Sequence, residues 1–134
     1  MKQLTEVDAA TAYARAWNRL DPAEFIELLA FDVDYASQWV FQEMKSCKTI
    51  SEYLIQKMLT VKQDAINKPT TKVYAELGTT TEGFAGRDCV LIAQGERDIV
   101  KSVVLFEVEG QKVKRFDMCI PELFGIIRSG VYPA

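Results

Sequence analysis

The chain has 134 residues, a formal net charge of -3 and 49% hydrophobic residues. This is the composition of a globular protein, and we expect residues 1–134 to form a single domain. The acidic balance excludes a strong basic field for nucleic acid or an anionic membrane. The sequence contains no histidine, which excludes Ser-His-Asp and Cys-His catalysis and histidine-ligated metal sites.

The cysteines, Cys47, Cys89 and Cys119, are far apart in the sequence and form no C-x-x-C motif. Such a pattern predicts reduced thiols in a cytoplasmic protein, with no metal site. The most apolar stretch, residues 99–108, is broken by Lys101 and is too short to span a bilayer. Glycine-rich nucleotide-binding motifs are absent from the sequence, and we expect no cofactor.

The first half of the chain carries the signals of three helices. Thr5 precedes an acidic turn and an apolar face at helical spacing, and is a predicted N-cap. Asp21-Pro22-Ala23-Glu24 has the pattern of a second helix start. Thr49-Ile50-Ser51-Glu52 predicts a capping box that opens a third helix, which ends at Asn67 because a proline follows Lys68.

Strands are predicted in two regions. Residues 31–38 alternate apolar and polar side chains, which indicates a half-buried strand, and Trp39-Val40-Phe41 is the predicted return arm of a small hairpin. Beyond Thr71, glycine-bearing turns separate four predicted strands, at residues 71–80, 87–94, 99–108 and 113–120.

The last two of these strands form a predicted hairpin. Glu109-Gly110 suits a two-residue turn, since glycine tolerates the positive φ that such a turn needs. In this register Glu107 lies opposite Lys112, and Ser102 lies opposite Asp117. The register predicts an inner face with Ser102, Val104, Phe106, Val108, Val113, Arg115, Asp117 and Cys119.

The opposite, outer face has an apolar centre in this register, formed by Val103, Leu105, Phe116 and Met118. Because helices can cover only one face, a second cover is needed, and we expect a homodimer through these four residues. The apolar segment 121–127 is predicted to pack back on the sheet or on a partner.

Three motifs carry a resemblance to a known family. They are Ala14-Arg15-Ala16-Trp17-Asn18 with Asp21-Pro22, Thr49-Ile50-Ser51-Glu52-Tyr53-Leu54, and Arg115-Phe116-Asp117. With the order of elements, they resemble the nuclear-transport-factor-2-like superfamily, which includes the SnoaL-like proteins. The resemblance implies a cone-shaped α+β fold, in which three N-terminal helices pack in a curved antiparallel sheet around a pocket. It also implies frequent dimers through the outer sheet face.

Asp117 is the leading catalytic candidate, because it matches the family's last-strand aspartate and has apolar neighbours in sequence. Burial on the inner face would raise its pKa and suit proton transfer. The alternative, which we favour, is a structural ion pair with Arg115 or a hydrogen bond to Ser102. We predict that Asp117→Asn costs ligand binding more than folding.

The remaining candidates surround such a pocket. Tyr35 is a candidate catalytic hydroxyl, and a plain core role is an equal alternative. The ligand-binding candidates are Trp39, Tyr74, Phe106, Arg115 and Cys119. A paired or solvated Arg115 and a small buried filler at Cys119 are the alternatives there, because no histidine activates the thiol.

Three functions remain open at this stage. The leading hypothesis is a protein with a pocket for an apolar or aromatic small molecule and no established reaction. The first alternative is an isomerase, dehydratase or hydrolase that uses Asp117 as general acid or base. The second is a dimerisation or protein-interaction module whose cavity is filled by its own side chains. An open apolar pocket without converging polar groups favours the first function, convergence of Asp117 with a tyrosine and an arginine favours the enzyme, and a filled cavity favours the interaction module.

Overall fold

Three α helices pack against one side of a curved sheet in the computed structural model, which describes residues 3–39, 42–81 and 86–134. Short 3-10 helices follow α3 and precede the last strand. The helices of the described part are α1 (Glu6–Arg19), α2 (Ala23–Glu27), α3 (Cys47–Asn67), η1 (Pro69–Thr71) and η2 (Pro121–Leu123). Its strands are β1 (Leu29–Ser37), β2 (Gln42–Lys45), β3 (Val73–Thr80), β4 (Asp88–Gln94), β5 (Val100–Glu109), β6 (Lys112–Cys119) and β7 (Ile126–Arg128).

Helices α1 and α3 each begin next to a residue whose side chain caps the helix N-terminus. The predicted cap of α1 is confirmed: the Asp8 N–H donates to the Thr5 hydroxyl and the Thr5 N–H donates to the Asp8 carboxylate, each at 3.1 Å. The prediction for α3 is wrong at its start, because the helix begins at Cys47. The Ser46 hydroxyl accepts the N–H of Thr49 and caps the helix one turn earlier than expected.

The sheet is mixed, with the strand order β2-β1-β6-β5-β4-β3-β7. Strand β1 runs parallel to β6, whereas the other neighbouring pairs of the described sheet are antiparallel. The expectation of an entirely antiparallel sheet is therefore wrong for this one pair. A short turn forces antiparallel pairing, but β1 and β6 are joined through α3 and four strands, which leaves their relative direction free.

The first hairpin differs from its prediction in position. Its return strand is β2, beginning at Gln42, while Trp39 lies in the turn and Val40 and Phe41 fall outside the described residues. Alternation along β1 begins only at Val33, because the pairing with β6 shifts register between Leu29 and Asp34. Phe31, expected to face inward, is therefore 90% exposed.

The predicted register of the β5–β6 hairpin is wrong. Gly110, with φ +63°, and Gln111 form the turn, and Glu109 lies opposite Lys112. A β-bulge follows in β6, where Val113 pairs with Val108 and the next pair is Arg115 with Glu107. Lys114 is the extra residue, and one extra residue exchanges the two faces of the strand beyond it.

The bulge overturns the predicted faces of β6. Phe116 and Met118 pack in the core beneath the helices, which we call the helix side of the sheet. Arg115, Asp117 and Cys119 lie on the opposite, outer side. Their predicted placement on the inner face is wrong, and so is the outer placement of Phe116 and Met118.

The helix side is filled by aromatic rings. Phe116 packs against Tyr35 and Phe25, with centroid distances of 4.6 and 5.3 Å. Tyr13 of α1 contacts Phe25 at 4.9 Å and Phe106 at 5.4 Å, both edge to face. All five rings are buried. Their packing fills the deep part of the space between helices and sheet.

The outer side of the sheet has its own cover within the chain. Phe124, in the segment after β6, is 7% exposed and forms an apolar cluster with Cys89, Leu91, Val103, Leu105 and Cys119. Val103 and Leu105 are thus buried by the C-terminal segment rather than by a partner. The four-residue patch expected at a dimer interface does not exist in that form, and dimerisation itself stays a prediction.

A buried carboxylate holds the C-terminal segment in place. Glu76 of β3 accepts a hydrogen bond from Arg128 Nε at 2.9 Å, from the Gly130 N–H at 2.7 Å and from the Tyr132 hydroxyl at 3.2 Å. Arg128 also pairs with Asp98 at 2.7 Å. The buried charge of Glu76 is compensated by these donors, so the segment and the sheet depend on each other.

We predict that Phe124→Ala lowers the free energy of unfolding by about 3 kcal/mol, because it removes the ring that covers the outer apolar cluster. Leu123→Ala is the matched control: this neighbour is 58% exposed, and its loss is expected to cost less than about 0.5 kcal/mol. Urea denaturation monitored by circular dichroism measures both. Equal, small effects would show that the segment does not cover the sheet.

Candidate functional site

The structure separates the seven proposed site residues into three groups. Tyr35 and Phe106 lie on the helix side of the sheet, and Trp39 lies at the open end of the space between the helices and the sheet. On the outer side lie Arg115, Asp117 and Cys119. Tyr74 forms the third group and lies beside the C-terminal segment. The residues therefore do not converge on one pocket.

Tyr35 and Phe106 are core residues. The Tyr35 hydroxyl donates to the Met118 sulfur at 3.8 Å, and burial raises the pKa of Tyr35 above its usual range. Its hydroxyl thus stays protonated at neutral pH and cannot serve as a base. Phe106 is completely buried within the aromatic cluster and lines none of the cavities described below.

A cavity of about 360 Å³ opens on the helix side, where β1, β5 and β6 meet α3. We call it the Trp39 cavity. The Trp39 side chain is 50% exposed at its edge, and the buried Met118 contributes to its wall. The lining residues are Ser37, Trp39, Tyr53, Lys57, Gln94, Lys101, Ser102 and Met118.

Two polar features mark this cavity. The Lys57 ammonium donates to the Tyr53 hydroxyl at 2.9 Å and lies 5.3 Å from the centroid of that ring. Ser102 is only 5% exposed, yet its hydroxyl forms no hydrogen bond within the described part of the chain. The fully buried side-chain N and O atoms without a partner among the described residues do not include this hydroxyl, so it reaches the space of the cavity, where a ligand or water can bind it.

A second depression of about 490 Å³, the outer cleft, contains the outer-side residues Arg115, Asp117 and Cys119 and shares Ser37 and Met118 with the Trp39 cavity. Arg115 pairs there with Asp117, with Nη2–Oδ1 and Nε–Oδ2 distances of 2.9 and 3.1 Å. Glu43 lies 3.5 Å and Asp34 4.0 Å from the same guanidinium. Its bond to Asp117 raises the pKa of Arg115. Asp117 is thus a paired carboxylate, the structural alternative of the sequence analysis.

Cys119 also lines the outer cleft, but its thiol is not activated. Burial raises the pKa of Cys119 to about 11, and the nearby Asp117 acts in the same direction. The group is therefore a thiol at neutral pH, which is a poor nucleophile.

Tyr74 lies at a different cavity, formed by the end of α1, the start of β3 and the C-terminal residues. The cations of Lys72 and Arg97 lie 5.2 and 5.4 Å from its ring centroid, and Arg97 also stacks on Tyr132 at 4.5 Å. These contacts give Tyr74 a packing role beside the C-terminal segment.

Sequence reasoning missed several residues of the Trp39 cavity, including Tyr53, Lys57 and the cavity-facing role of Lys101 and Ser102. Signals for them were present. Lys101 interrupts the most apolar stretch of the chain, and Lys57 follows Tyr53 by one helical turn. What could not be read is that α3 and β5 bring these positions together.

Among the described residues, no group of three or more Cys, Asp and Glu side chains is arranged to hold a metal ion. Within the same ranges, no helix has the length and apolar character needed to cross a membrane.

Known family models and curated protein sequences give no match to this chain. Solved structures do. A SnoaL-like protein of unknown function from Burkholderia thailandensis superposes with a TM-score of 0.56 at 12% identity, covering 96% of this chain and 100% of its own. An NTF2-like protein of unknown function from Cytophaga hutchinsonii gives 0.55 at 11% identity, covering 90% of this chain and 95% of its own.

These similarities confirm the fold: the chain has the α+β fold of the NTF2-like and SnoaL-like proteins. At such low identity they show the fold alone. A de novo designed protein with a curved β-sheet matches equally well, with a TM-score of 0.56 at 12% identity over 89% of this chain and 90% of its own. The same backbone thus serves proteins of unrelated origin, and function has to be argued from the side chains.

We predict that Asp117→Asn changes the free energy of unfolding by less than about 1 kcal/mol, because the Arg115–Asp117 pair is partly exposed. Arg115 keeps Glu43 as a partner. Ligand binding in the Trp39 cavity should be unchanged, since Asp117 lies on the opposite side of the sheet. Chemical denaturation and ligand titration check the two parts, and a large loss of binding would restore Asp117 as a site residue.

We also predict that Cys47 is the first thiol modified by a disulfide reagent at pH 8. Cys119 and Cys89 are buried and have pKa values of about 11 and 12. At Cys119, a rise from 9.0 to about 11 makes the reaction about a hundredfold slower. Stopped-flow absorbance measures the phases, and Cys47→Ser should remove the fast one. A fast phase that survives would contradict the assignment.

Proposed function

We propose that the chain binds a small apolar or aromatic molecule in the Trp39 cavity. The observation that carries the proposal is the half-exposed side chain of Trp39 at an open cavity that Tyr53 and Met118 also line. Ligand sites are typically concave and largely apolar, with a few polar groups that fix orientation. The Trp39 cavity has this composition.

The size of the cavity limits the ligand. Its volume of about 360 Å³ lies near the lower end of the range for small-molecule sites, about 300–1,000 Å³. Tyr13, Phe25, Phe106 and Phe116 fill the space below it. A ligand therefore occupies the open end and is no larger than a small bicyclic aromatic compound.

The geometry gives less support to the enzyme alternative. The proposed acid or base, Asp117, pairs with Arg115 on the outer side, while the proposed hydroxyl, Tyr35, lies in the core on the other side. A general acid must reach the reacting group, directly or through one water molecule. These two residues face different spaces and do not form one catalytic pair.

The interaction-module alternative rests on a filled cavity. The aromatic cluster does fill the deep part of the helix side, but the open end retains the Trp39 cavity, which Ser102 and two lysines line. A module whose cavity is filled by its own side chains would leave no such open space. This contrast favours small-molecule binding.

We predict that the neutral aromatic probe 2-naphthol shifts the indole N–H resonance of Trp39 in ¹H–¹⁵N spectra and does so saturably. Trp39→Phe assigns this resonance against that of the buried Trp17. Trp39→Ala should weaken binding by about tenfold, because a stacking contact and buried apolar area are lost. Ser102→Leu should weaken it further by filling the cavity.

Phe31→Ala is the matched control, because Phe31 is an exposed aromatic residue outside the cavity. It should leave the affinity unchanged. Shifts that scatter over the surface without Trp39, or an equal loss in the control variant, would refute binding at this site.

A further inference from the structure

We propose that the ligand of the Trp39 cavity is a small aromatic carboxylate, with its ring against Trp39 and its acid group bound by Lys57 and Lys101. The inference rests on the function proposed above and specifies its chemical class. It depends on the charges and hydrogen-bond donors that surround the cavity.

The lining of the Trp39 cavity is positively charged in an acidic chain. Of the eight described residues that line it, two are lysines and none is acidic, whereas the whole chain has a net charge of -3. Within the described ranges, neither lysine forms an ion pair. The outer cleft is the opposite, with Glu43, Glu107 and Asp117 around one arginine. The Trp39 cavity therefore favours an anion.

Lys57 is positioned before any ligand arrives. Its ammonium is held by the Tyr53 hydroxyl at 2.9 Å, on the adjacent turn of α3. An ammonium group has three donors, so two remain for a ligand. Because the side chain is already ordered, binding an acceptor there costs less conformational entropy than at a free lysine.

Ser102 supplies an independent indication. Ser102 lines the cavity with 5% of the residue exposed, and no hydrogen-bond partner of its hydroxyl occurs in the part of the chain that the structure describes. A carboxylate oxygen would satisfy this donor, since an ionised carboxylate offers two acceptor oxygens with about four lone-pair sites. Two lysines and one hydroxyl match that acceptor capacity.

The same lining favours a carboxylate over a phosphate ester. Bidentate recognition of phosphate uses arginine, or successive backbone N–H groups at a helix start. No arginine is among the described residues that line the Trp39 cavity. A planar aromatic acid also fits the space beside Trp39 and Tyr53, where the ring is covered while its charged edge meets the lysines.

The test compares 2-naphthoate with its neutral isostere 2-naphthamide by isothermal titration calorimetry. We expect naphthoate to bind at least about tenfold more tightly, because hydrogen bonds to charged groups are the stronger ones. Lys101→Gln and Lys57→Gln should each weaken naphthoate by about fivefold and leave naphthamide unchanged. Ser102→Ala should weaken naphthoate by about threefold.

Lys62→Gln is the matched control, since Lys62 is an exposed lysine of α3 outside the cavity. An equal loss in this variant would show that net charge, not the site, is responsible and would overturn the inference. If both probes bind equally, the cavity binds ligands without selecting an anion, and only this inference fails. If neither probe binds, the proposed function fails as well.

Discussion

One extra residue in β6, Lys114, decides which side chains of the sheet meet the helices. Without this bulge the strand would keep its period of two, and Arg115 and Asp117 would follow Val113 into the aromatic core. Unpaired charges there would be very costly, whereas Phe116 and Met118 would lose their burial. The bulge lets the core hold Phe116 while Arg115 and Asp117 pair on the outer side.

The sequence predicted the parts of the fold that depend on local signals. The Thr5 cap, the end of α3 at Asn67 and four late strands agree with the structure within a few residues. The face assignment failed because a regular alternation was extended through the bulge. A signal of it was present: the apolar residues Val113 and Phe116 are three positions apart, which is incompatible with an unbroken two-residue period.

The candidate site was less predictable, because it depends on contacts between distant parts of the chain. The amphipathic character of Trp39 alone predicts a place at a pocket, and Trp39 does line a cavity, while its role in binding stays a prediction. Ser102 was placed on the correct face, but its lack of a partner is visible only once the surroundings are built. The cover of Leu105 by Phe124 likewise depends on the anchoring of the C-terminal segment at Glu76, which no local pattern reveals.

The Trp39 cavity and the outer cleft carry opposite local charges. Lysines meet the open end of the helix side, while carboxylates gather around Arg115 on the outer side. A field of this kind orients an approaching anion and weakens with added salt. In the binding mode that we propose, the aromatic core keeps the ligand at the open end, within reach of Lys57. The selectivity that we propose thus depends on a few side chains around Trp39, on a backbone that a designed protein also adopts.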